Sequence, residues 1–255
     1  MLRLGQACLN SELGIASNGQ VDLEGVNWLK RAVEAATPLY PNAPYELALL
    51  HEHGYKDVVF PDEEYAVQLF AKASDLGHPD APFRLGEAYE YGRMGCPEDA
   101  SLSIHYYSLG ARRGNAPAML SLCAWYMVGA EGVLEKSDDE AFAWAQRAAE
   151  LGLAKAEFAT GYFLERGVGC RRNPLEAWKY YVRAADHGDE RAISRLKAGK
   201  DLNADRGMLA SAVSTEVERG RMSTSNTEIS GARKASPYTA PEDDGKPKDK
   251  DCIVM

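Results

Sequence analysis

The sequence predicts an all-α solenoid of stacked helix pairs, followed by a disordered C-terminal tail. Alanine recurs at steps of 36 to 38 residues, at Ala43, Ala81, Ala118, Ala156 and Ala192. The residue eleven positions after each of the first four alanines is a glycine: Gly54, Gly92, Gly129 and Gly167. A second glycine series has the same spacing, at Gly77, Gly114, Gly152 and Gly188. Two interleaved series with one period indicate a structural unit that is copied in tandem, and such units stack around one elongated core.

The unit that begins at Ala81 shows how the sequence encodes a pair of helices. Small and apolar residues share one face of a first helix, which Gly92 is expected to end because glycine readily adopts a positive φ. A second helix ends at Gly114 and carries the apolar residues Leu102, Ile104, Tyr106, Tyr107 and Leu109. Glycine inside a helix costs about 1 kcal/mol relative to alanine. Gly86 and Gly161 therefore predict places where two helices pack closely.

The same pattern returns around Trp144 and Trp178, where alanine, an aromatic residue and paired alanines precede a glycine. A first helix with the pattern A…LG..Y..G, followed by a second with A..W…AA..G, resembles the Sel1-like repeat. The resemblance implies an α/α solenoid related to the tetratricopeptide class. It covers residues 1–197, as about five repeats of which the first and the last are incomplete.

The two ends of the array differ from its centre. Residues 4–7 align with residues 85–88, so the chain is expected to start partway along a first helix. Either residues are missing upstream or the chain is a shortened relative of a longer protein. Residues 204–219 place apolar side chains on one helical face, which predicts a closing helix within 198–219. Residues 220–255 are rich in Ser, Thr, Pro, Lys and Asp and have almost nothing to bury, so they are predicted to form a disordered tether.

Composition narrows the class of protein. A net charge of −9 argues against nucleic acid as a partner, because phosphate binding needs a basic face. The first ten residues lack the features of a signal peptide, and no apolar run approaches the roughly 20 residues that span a bilayer. The five cysteines form no CxxC pair and share no repeated spacing. These observations favour a reduced, cytosolic protein.

The last four residues, Cys252, Ile253, Val254 and Met255, match the C-a-a-X prenylation signal, and a final methionine favours farnesyl. The prediction is that protein farnesyltransferase modifies Cys252 as a transient partner and that the three residues after it are then removed. A single lipid chain binds a membrane only marginally. The nearby lysines alternate with aspartates and provide no second, polybasic signal. A membrane-resident protein partner is therefore the expected second anchor.

Several stretches outside the repeated core resemble the fungal chitin synthase activator family. They are GVNWLKRAVEAATP (25–38), ELALLHEHG (46–54), VVFPDEEYA (58–66), GEAYEYGRMGCPEDASLSIHYY (86–107) and GLAKAEFATGYF (152–163). The resemblance implies a non-catalytic adaptor that binds the catalytic subunit of a membrane chitin synthase and recruits it for cell-wall and septal chitin synthesis. It also implies a lipid-anchored location on the cytoplasmic face of the plasma membrane, at sites of polarised growth or septation.

Three alternatives to this function are weighed. A shortened scaffold could bind without activating a synthase. Some bacterial Sel1-like proteins have been linked to β-lactam chemistry, but the disulfides and the nucleophile motif of a hydrolase are missing here. An adaptor of endoplasmic-reticulum degradation would need a signal peptide and a membrane span, which the sequence lacks. Ser101 and Ser103 lie near His105, but a surface helix explains them better than a nucleophile and its base, so no enzyme activity is predicted.

The histidines do not predict a metal site, and no cofactor is expected. His51 and His53 are two residues apart on a predicted helix, so they point to different faces. His78 follows Gly77 and His187 precedes Gly188, and solvated polar side chains are expected beside these glycines that end helices.

Candidate partner-binding residues lie on the first helices, which line the concave face of helical solenoids. They are Glu52, Arg84, Glu87, Tyr91, Trp125, Met127, Phe163 and Arg166. Tyrosine, tryptophan, methionine and arginine are favoured at interfaces. For Trp125 and Phe163 the alternative is that they pack between repeats.

Overall fold

The computed structural model describes residues 1–9 and 19–198, and every regular element in that part of the chain is a helix. The helices are α1 (Leu2–Leu9), α2 (Gly19–Glu34), α3 (Asn42–His53), α4 (Glu63–Asp75), α5 (Ala81–Tyr91), α6 (Ala100–Arg112), α7 (Ala116–Val128), α8 (Asp138–Glu150), α9 (Ala154–Arg166) and α10 (Pro174–Asp186). A further helix, α11, covers residues 190–198. The prediction of an all-α fold is confirmed. The closing helix and the tether predicted after residue 198 lie outside the described residues.

Consecutive helices form pairs, and the pairs stack. Each odd-numbered helix packs most extensively against the helix that follows it, and each even-numbered helix also packs against the next odd-numbered one. We call the pairs α1–α2 to α9–α10 units 1 to 5, with a first and a second helix in each. The five alanines of the repeat series are between 0% and 3% exposed. This arrangement is the predicted α/α solenoid, with the alanine series in its core.

The glycines predicted to end the first helices do so at positive φ. Gly92 and Gly167 are left-handed, with φ of 59° and 76°. Gly54 and Gly129 instead pair a φ of 74° or 80° with an extended ψ, and each leads into a short loop closed by an isolated bridge. The first helices of units 2 and 4 therefore end in the same bridged loop, whereas those of units 3 and 5 end at a left-handed glycine. A side chain with Cβ would be strained at each of these positions.

The second helices of units 2 to 5 begin at a side-chain cap in the same register. The cap side chains accept a hydrogen bond from the backbone N–H three residues later, and they belong to Asp62, Asp99, Ser137 and Asn173. Such a cap contributes about 1 kcal/mol to helix stability. The caps form a third periodic series, which fixes where each second helix starts. Its spacing is that of the glycine series Gly77, Gly114, Gly152 and Gly188.

Gly86 and Gly161 lie inside first helices under aromatic rings, which confirms the predicted close packing. A Cβ on Gly86 would lie 2.5 Å from Cδ1 of Tyr107, and one on Gly161 would lie 2.9 Å from Cδ1 of Tyr181. In unit 4 the corresponding residues are Cys123 and Ala145, which are both buried in one cluster. A larger residue on the first helix is thus matched by a smaller one on the second. The packed volume between the two helices is kept while the sequence changes.

Candidate functional site

The exposed side of the first helices forms one face of the stack, which we call the first-helix face. Its side chains lie one, two, five and eight residues before the glycine that follows each first helix. In chain order they are Glu46, Leu49, Glu52, His53, Arg84, Glu87, Glu90, Tyr91, Ser121, Ala124, Met127, Val128, Ala159, Tyr162, Glu165 and Arg166. This set includes six of the predicted binding residues: Glu52, Arg84, Glu87, Tyr91, Met127 and Arg166. These register positions recur in units 2 to 5.

Three of the predicted residues form one charged cluster. Arg84 donates one hydrogen bond to Glu52 Oε1 on α3 and another, of 3.3 Å, to Glu87 Oε2 on α5. Arg84 Nε and Glu52 Oε2 are buried and have no hydrogen-bond partner. Burial raises the pKa of Glu87; the guanidinium groups of Arg84 and Arg93 oppose this shift, and the carboxylates of Glu52 and Glu90 add to it. The cluster is therefore an acidic site that one arginine only partly neutralises.

The same junction recurs between other units. The residue two positions before the glycine is Glu52, Glu90, Met127 or Glu165 in units 2 to 5. Arg195 of α11 binds Glu165 as Arg84 binds Glu52, and both arginines follow a repeat alanine by three residues. Tyr181 also donates to Glu165 at 2.7 Å. Although burial opposes it, the hydrogen bonds from Tyr181 and Arg195 hold the pKa of Glu165 below its usual value. Reading the sequence in repeat register would have found this second pair.

Exposed apolar side chains follow the charged cluster along the face. We call Tyr91, Met127, Val128 and Tyr162 the apolar patch; they are 52%, 38%, 78% and 43% exposed. Arg93 lies 4.9 Å from the ring centroid of Tyr91. Sequence reasoning found Tyr91 and Met127 but missed Val128 and Tyr162. Val128 has the register of Tyr91, so repeat alignment was the signal that could have found it.

At the far end of the face Arg166 is exposed and lies 5.8 Å from the ring centroid of Tyr162. Arg195 on α11 has the register of Arg84, binds Glu165 next to Arg166 in the chain, and has a side chain that is 46% exposed. The first-helix face therefore changes from acidic in units 2 and 3, through apolar, to a surface with exposed arginines at unit 5.

Phe163 does not belong to this surface, and its prediction as a binding residue is wrong. It is 2% exposed and packs edge-on against Phe142, with ring centroids 6.3 Å apart. Trp125, four residues before its glycine like Phe163, is half-buried in the core, and its Nε1 is buried without a partner. Of the other two residues in this register, Ala88 is 0% exposed and Leu50 is partly buried against the core. Residues four positions before the glycine therefore belong to the core. This agrees with the alternative that Trp125 and Phe163 pack between repeats.

The expectation that the histidines beside the helix-ending glycines are solvated is wrong for His78. This residue is 7% exposed, its ring is stacked 4.1 Å from the ring of Tyr45, and its Nδ1 accepts from the N–H of Asp80. Burial lowers the pKa of His78, with a smaller contribution in the same direction from Arg113. His187 is half-exposed, but its Nδ1 lies 2.7 Å from a carboxylate oxygen of Glu157, which is completely buried. Each histidine therefore makes a structural contact with the first helix of its own unit, α3 in unit 2 and α9 in unit 5.

Neither a nucleophile nor a metal cluster emerges in the described part of the chain. Ser103 is completely buried while His105 is exposed, so the two lie on different sides of α6. Burial raises the pKa of the Cys123 thiol to about 11, which disfavours a reactive thiolate. No group of three His, Cys, Asp or Glu side chains among the described residues could hold a metal ion. None of the described helices is long and apolar enough to cross a membrane.

Comparison with known proteins supports the fold and the resemblance. Chitin synthase regulator SKT5 of Malassezia restricta is 53% identical over 188 residues, which cover 74% of this chain and 13% of that protein. The regulator of the same name in Saccharomyces cerevisiae is 46% identical over 198 residues, or 78% of this chain and 28% of that protein. Chitin synthase regulatory factor 3 of Schizosaccharomyces pombe is 37% identical over 197 residues, 77% and 21% of the two chains. The chain thus spans less than a third of each of these relatives.

Solved structures agree with the architecture. A Sel1 repeat protein from Oxalobacter formigenes superposes with a TM-score of 0.66 at 26% identity, covering 77% of this chain and 76% of that one. A protective antigen of uropathogenic Escherichia coli gives a TM-score of 0.68 at 24% identity, with 76% and 39% covered, and supports the fold alone.

The Sel1 repeat model matches five consecutive segments, at residues 1–36, 41–78, 79–115, 116–153 and 154–189. Together they make up most of the chain, and each contains one of the helix pairs described above. The resemblance to fungal chitin synthase regulators, predicted from short stretches of sequence, is confirmed by relatives at 46% and 53% identity. This chain is a member of the Sel1 repeat family.

Proposed function

We propose that this chain is a non-catalytic adaptor that binds the catalytic subunit of a membrane chitin synthase and recruits it for cell-wall and septal chitin synthesis. The observation that carries the proposal is the identity of 46% and 53% with proteins named chitin synthase regulators, over alignments that cover about three quarters of the chain. A repeat fold suits an adaptor, because stacked units present a long surface to a partner.

The first-helix face is the proposed contact surface for the synthase. It combines exposed tyrosine, methionine and arginine side chains, which are enriched at interface hot spots or cores. Tyr91 and Met127 are 52% and 38% exposed, so a partner could bury them without any rearrangement of the core. The charged cluster around Arg84 lies beside them and would supply orientation.

Lipidation of Cys252 is the proposed membrane tether. The sequence ends in a C-a-a-X box whose final methionine favours farnesyl, added by protein farnesyltransferase. One isoprenoid binds membranes only marginally, so the synthase itself would act as the second anchor. The proposal places the protein on the cytoplasmic face of the plasma membrane, at sites of polarised growth or septation.

Co-purification with a fungal chitin synthase in detergent tests the proposal. We expect capture by the unmodified chain and at least about tenfold weaker capture by Tyr91→Ala with Met127→Ala, because truncated hot-spot residues cost about 1–2 kcal/mol each or more. Leu175→Ala is the matched control, since Leu175 is 82% exposed but lies on the second helix α10. Absence of capture by the unmodified chain, while a longer relative captures the synthase, would overturn the proposal.

A second candidate is a scaffold that binds the synthase without activating it. It is favoured by the alignment lengths, because the chain corresponds to only 13% and 28% of the two regulators. Adding the purified chain to synthase-containing membranes separates the two candidates. A rise in chitin output supports an activating adaptor, whereas capture without a rise supports the scaffold.

A further inference from the structure

We infer that the first-helix face accepts an amphipathic segment that is basic at one end and apolar in its centre, with the basic end over units 2 and 3. The inference rests on the proposed function, because the segment would belong to the cytosolic part of the synthase. It goes beyond that function by stating the chemistry and the direction of the bound segment. Three features of the face, taken in chain order, support it.

The face is acidic in units 2 and 3. Its carboxylates are Glu46, Glu52, Glu87 and Glu90, and they outnumber the guanidinium groups of Arg84 and Arg93. Arg84 is shared between Glu52 and Glu87, and His53 Nδ1 lies 3.7 Å from the second carboxylate oxygen of Glu52. The Glu87 side chain is 28% exposed, so a lysine or arginine brought by a partner would add a charge-assisted hydrogen bond to this carboxylate, which shares its one arginine with Glu52.

The centre of the face is apolar. In unit 4 the junction position held by a glutamate in units 2, 3 and 5 is Met127, and the residue facing it in register on the next first helix is Ala159. Val128 on α7 and Tyr162 on α9 are exposed, and so is Tyr91 on α5, so exposed apolar side chains recur in three successive units. Exposed apolar patches with a polar rim mark interaction sites on soluble proteins.

The far end carries exposed arginines. Arg166 lies over the ring of Tyr162, and the side chain of Arg195 is 46% exposed although it binds Glu165. The charge of the face therefore changes sign along its length. An anionic segment would be repelled at the acidic end, and a purely apolar one would leave the carboxylates of units 2 and 3 desolvated without partners. A segment that is basic at one end and then apolar matches both the acidic region and the apolar patch, but only when its basic end lies over units 2 and 3.

Synthetic peptides test this chemistry directly. The probes are a fluorescent Lys/Leu peptide whose lysines precede its leucines, a Glu/Leu peptide of the same pattern, and a scrambled Lys/Leu peptide of unchanged composition. We expect the first to bind at least about tenfold more tightly than the other two, in an association that weakens with salt. Equal binding of the ordered and scrambled Lys/Leu peptides would overturn the inference, because it would indicate charge attraction alone.

Variants of the chain locate the binding. Glu46→Gln with Glu87→Gln should weaken binding of the ordered Lys/Leu peptide at least about fivefold. Glu63→Gln with Glu64→Gln makes the same change in net charge at the start of the second helix α4 and should change it less than about twofold. Val128→Asp should abolish binding, while Leu175→Asp on α10 should not. Equal effects of the paired variants would show that the first-helix face is not the site.

A peptide array tiled over the cytosolic segments of a chitin synthase separates this inference from the proposed function. Capture through basic amphipathic peptides supports both. Capture of the synthase through acidic or neutral segments overturns the inference and leaves the adaptor function standing. Binding of the synthetic Lys/Leu peptide without capture of the synthase overturns the proposed function and leaves the chemistry of the face intact.

Discussion

His187 contacts a completely buried carboxylate, that of Glu157. The His187 Nδ1 atom lies 2.7 Å from Glu157 Oε2, and Arg183 Nη2 lies 2.8 Å from Glu157 Oε1. The side chains of His187 and Arg183 are 49% and 46% exposed, whereas that of Glu157 is 0% exposed. In the two preceding units the corresponding residues are Pro82 and Met119. Unit 5 thus carries a charge where its neighbours carry an apolar side chain.

The first prediction concerns this buried charge. Arg183→Met with His187→Phe should lower the free energy of unfolding by about 3–5 kcal/mol, because it leaves a buried carboxylate without partners. Glu157→Met should change it by less than about 1.5 kcal/mol, since it restores the residue type of unit 4 and removes the need for compensation. Urea unfolding followed by circular dichroism measures both changes.

Combining the three substitutions provides the control for this prediction. With Glu157→Met present, the changes at residues 183 and 187 should cost much less than they do alone, because no buried charge remains. Additive losses would mean that Arg183 and His187 act through other contacts, such as the 2.9 Å hydrogen bond from Arg183 to the carbonyl of Ala149.

The structural features that could be predicted from the sequence are those that recur in every repeat or in several repeats. The alanine core, the glycines that end helices and the close approach at Gly86 each follow from a residue type at a fixed register. Glu157 and His78 are different, because each occurs in one unit and its partner lies in another part of the chain. Periodicity does not indicate such pairs, so His78 was expected in solvent although it stacks on Tyr45.

The candidate surface was predicted in part for the same reason. Arg84, Glu87 and Tyr91 are predicted because they lie outside the repeated core, and they do lie on the first-helix face. Phe163 meets the same criterion, but an aromatic residue can also fill space that Ala88 leaves free in unit 3. Residue type alone does not separate these two roles. Register separates them here, because the residues four positions before the glycine pack in or against the core in units 2 to 5.

The second prediction concerns the packing of Gly86 under Tyr107. Gly86→Ala should lower the free energy of unfolding by about 1–3 kcal/mol, because the new Cβ would lie 2.5 Å from the ring. The loss should occur although alanine favours a helix by about 1 kcal/mol. Adding Tyr107→Ala creates the small-residue pairing that Cys123 and Ala145 show in unit 4, so the double variant should be more stable than the sum of the single losses. Additivity within about 0.5 kcal/mol would contradict the contact.

The third prediction concerns the pH dependence of stability. Burial lowers the pKa of His78 from its usual 6.5, so the unfolded chain takes up a proton at higher pH than the folded protein does. The stability that neutral His78 contributes is therefore fully present above pH 6.5 and is lost as the pH falls through the lower, folded value. His78→Gln cannot titrate, so between about pH 7.5 and pH 5 its free energy of unfolding should fall less than that of the unmodified chain. Parallel curves for the two proteins would contradict this role.

The fourth prediction concerns the proposed lipid anchor. Cys252→Ser removes the only thiol in the C-a-a-X box, so the protein should move from the membrane fraction to the soluble fraction of a fungal lysate. Met255→Leu is the matched variant, because a final leucine favours geranylgeranyl over farnesyl. It should keep the protein on membranes and make its location insensitive to a farnesyltransferase inhibitor.

Deleting the synthase separates the lipid from the protein anchor. A single isoprenoid holds a protein only marginally, so unmodified chain should be partly released when the synthase is absent. Met255→Leu should be released less, since the longer geranylgeranyl chain adds about 0.8 kcal/mol for each further buried methylene-sized group. Full membrane retention of Cys252→Ser in the presence of the synthase, together with its full release in the absence of the synthase, would show that the partner alone anchors the chain and that the lipid is dispensable.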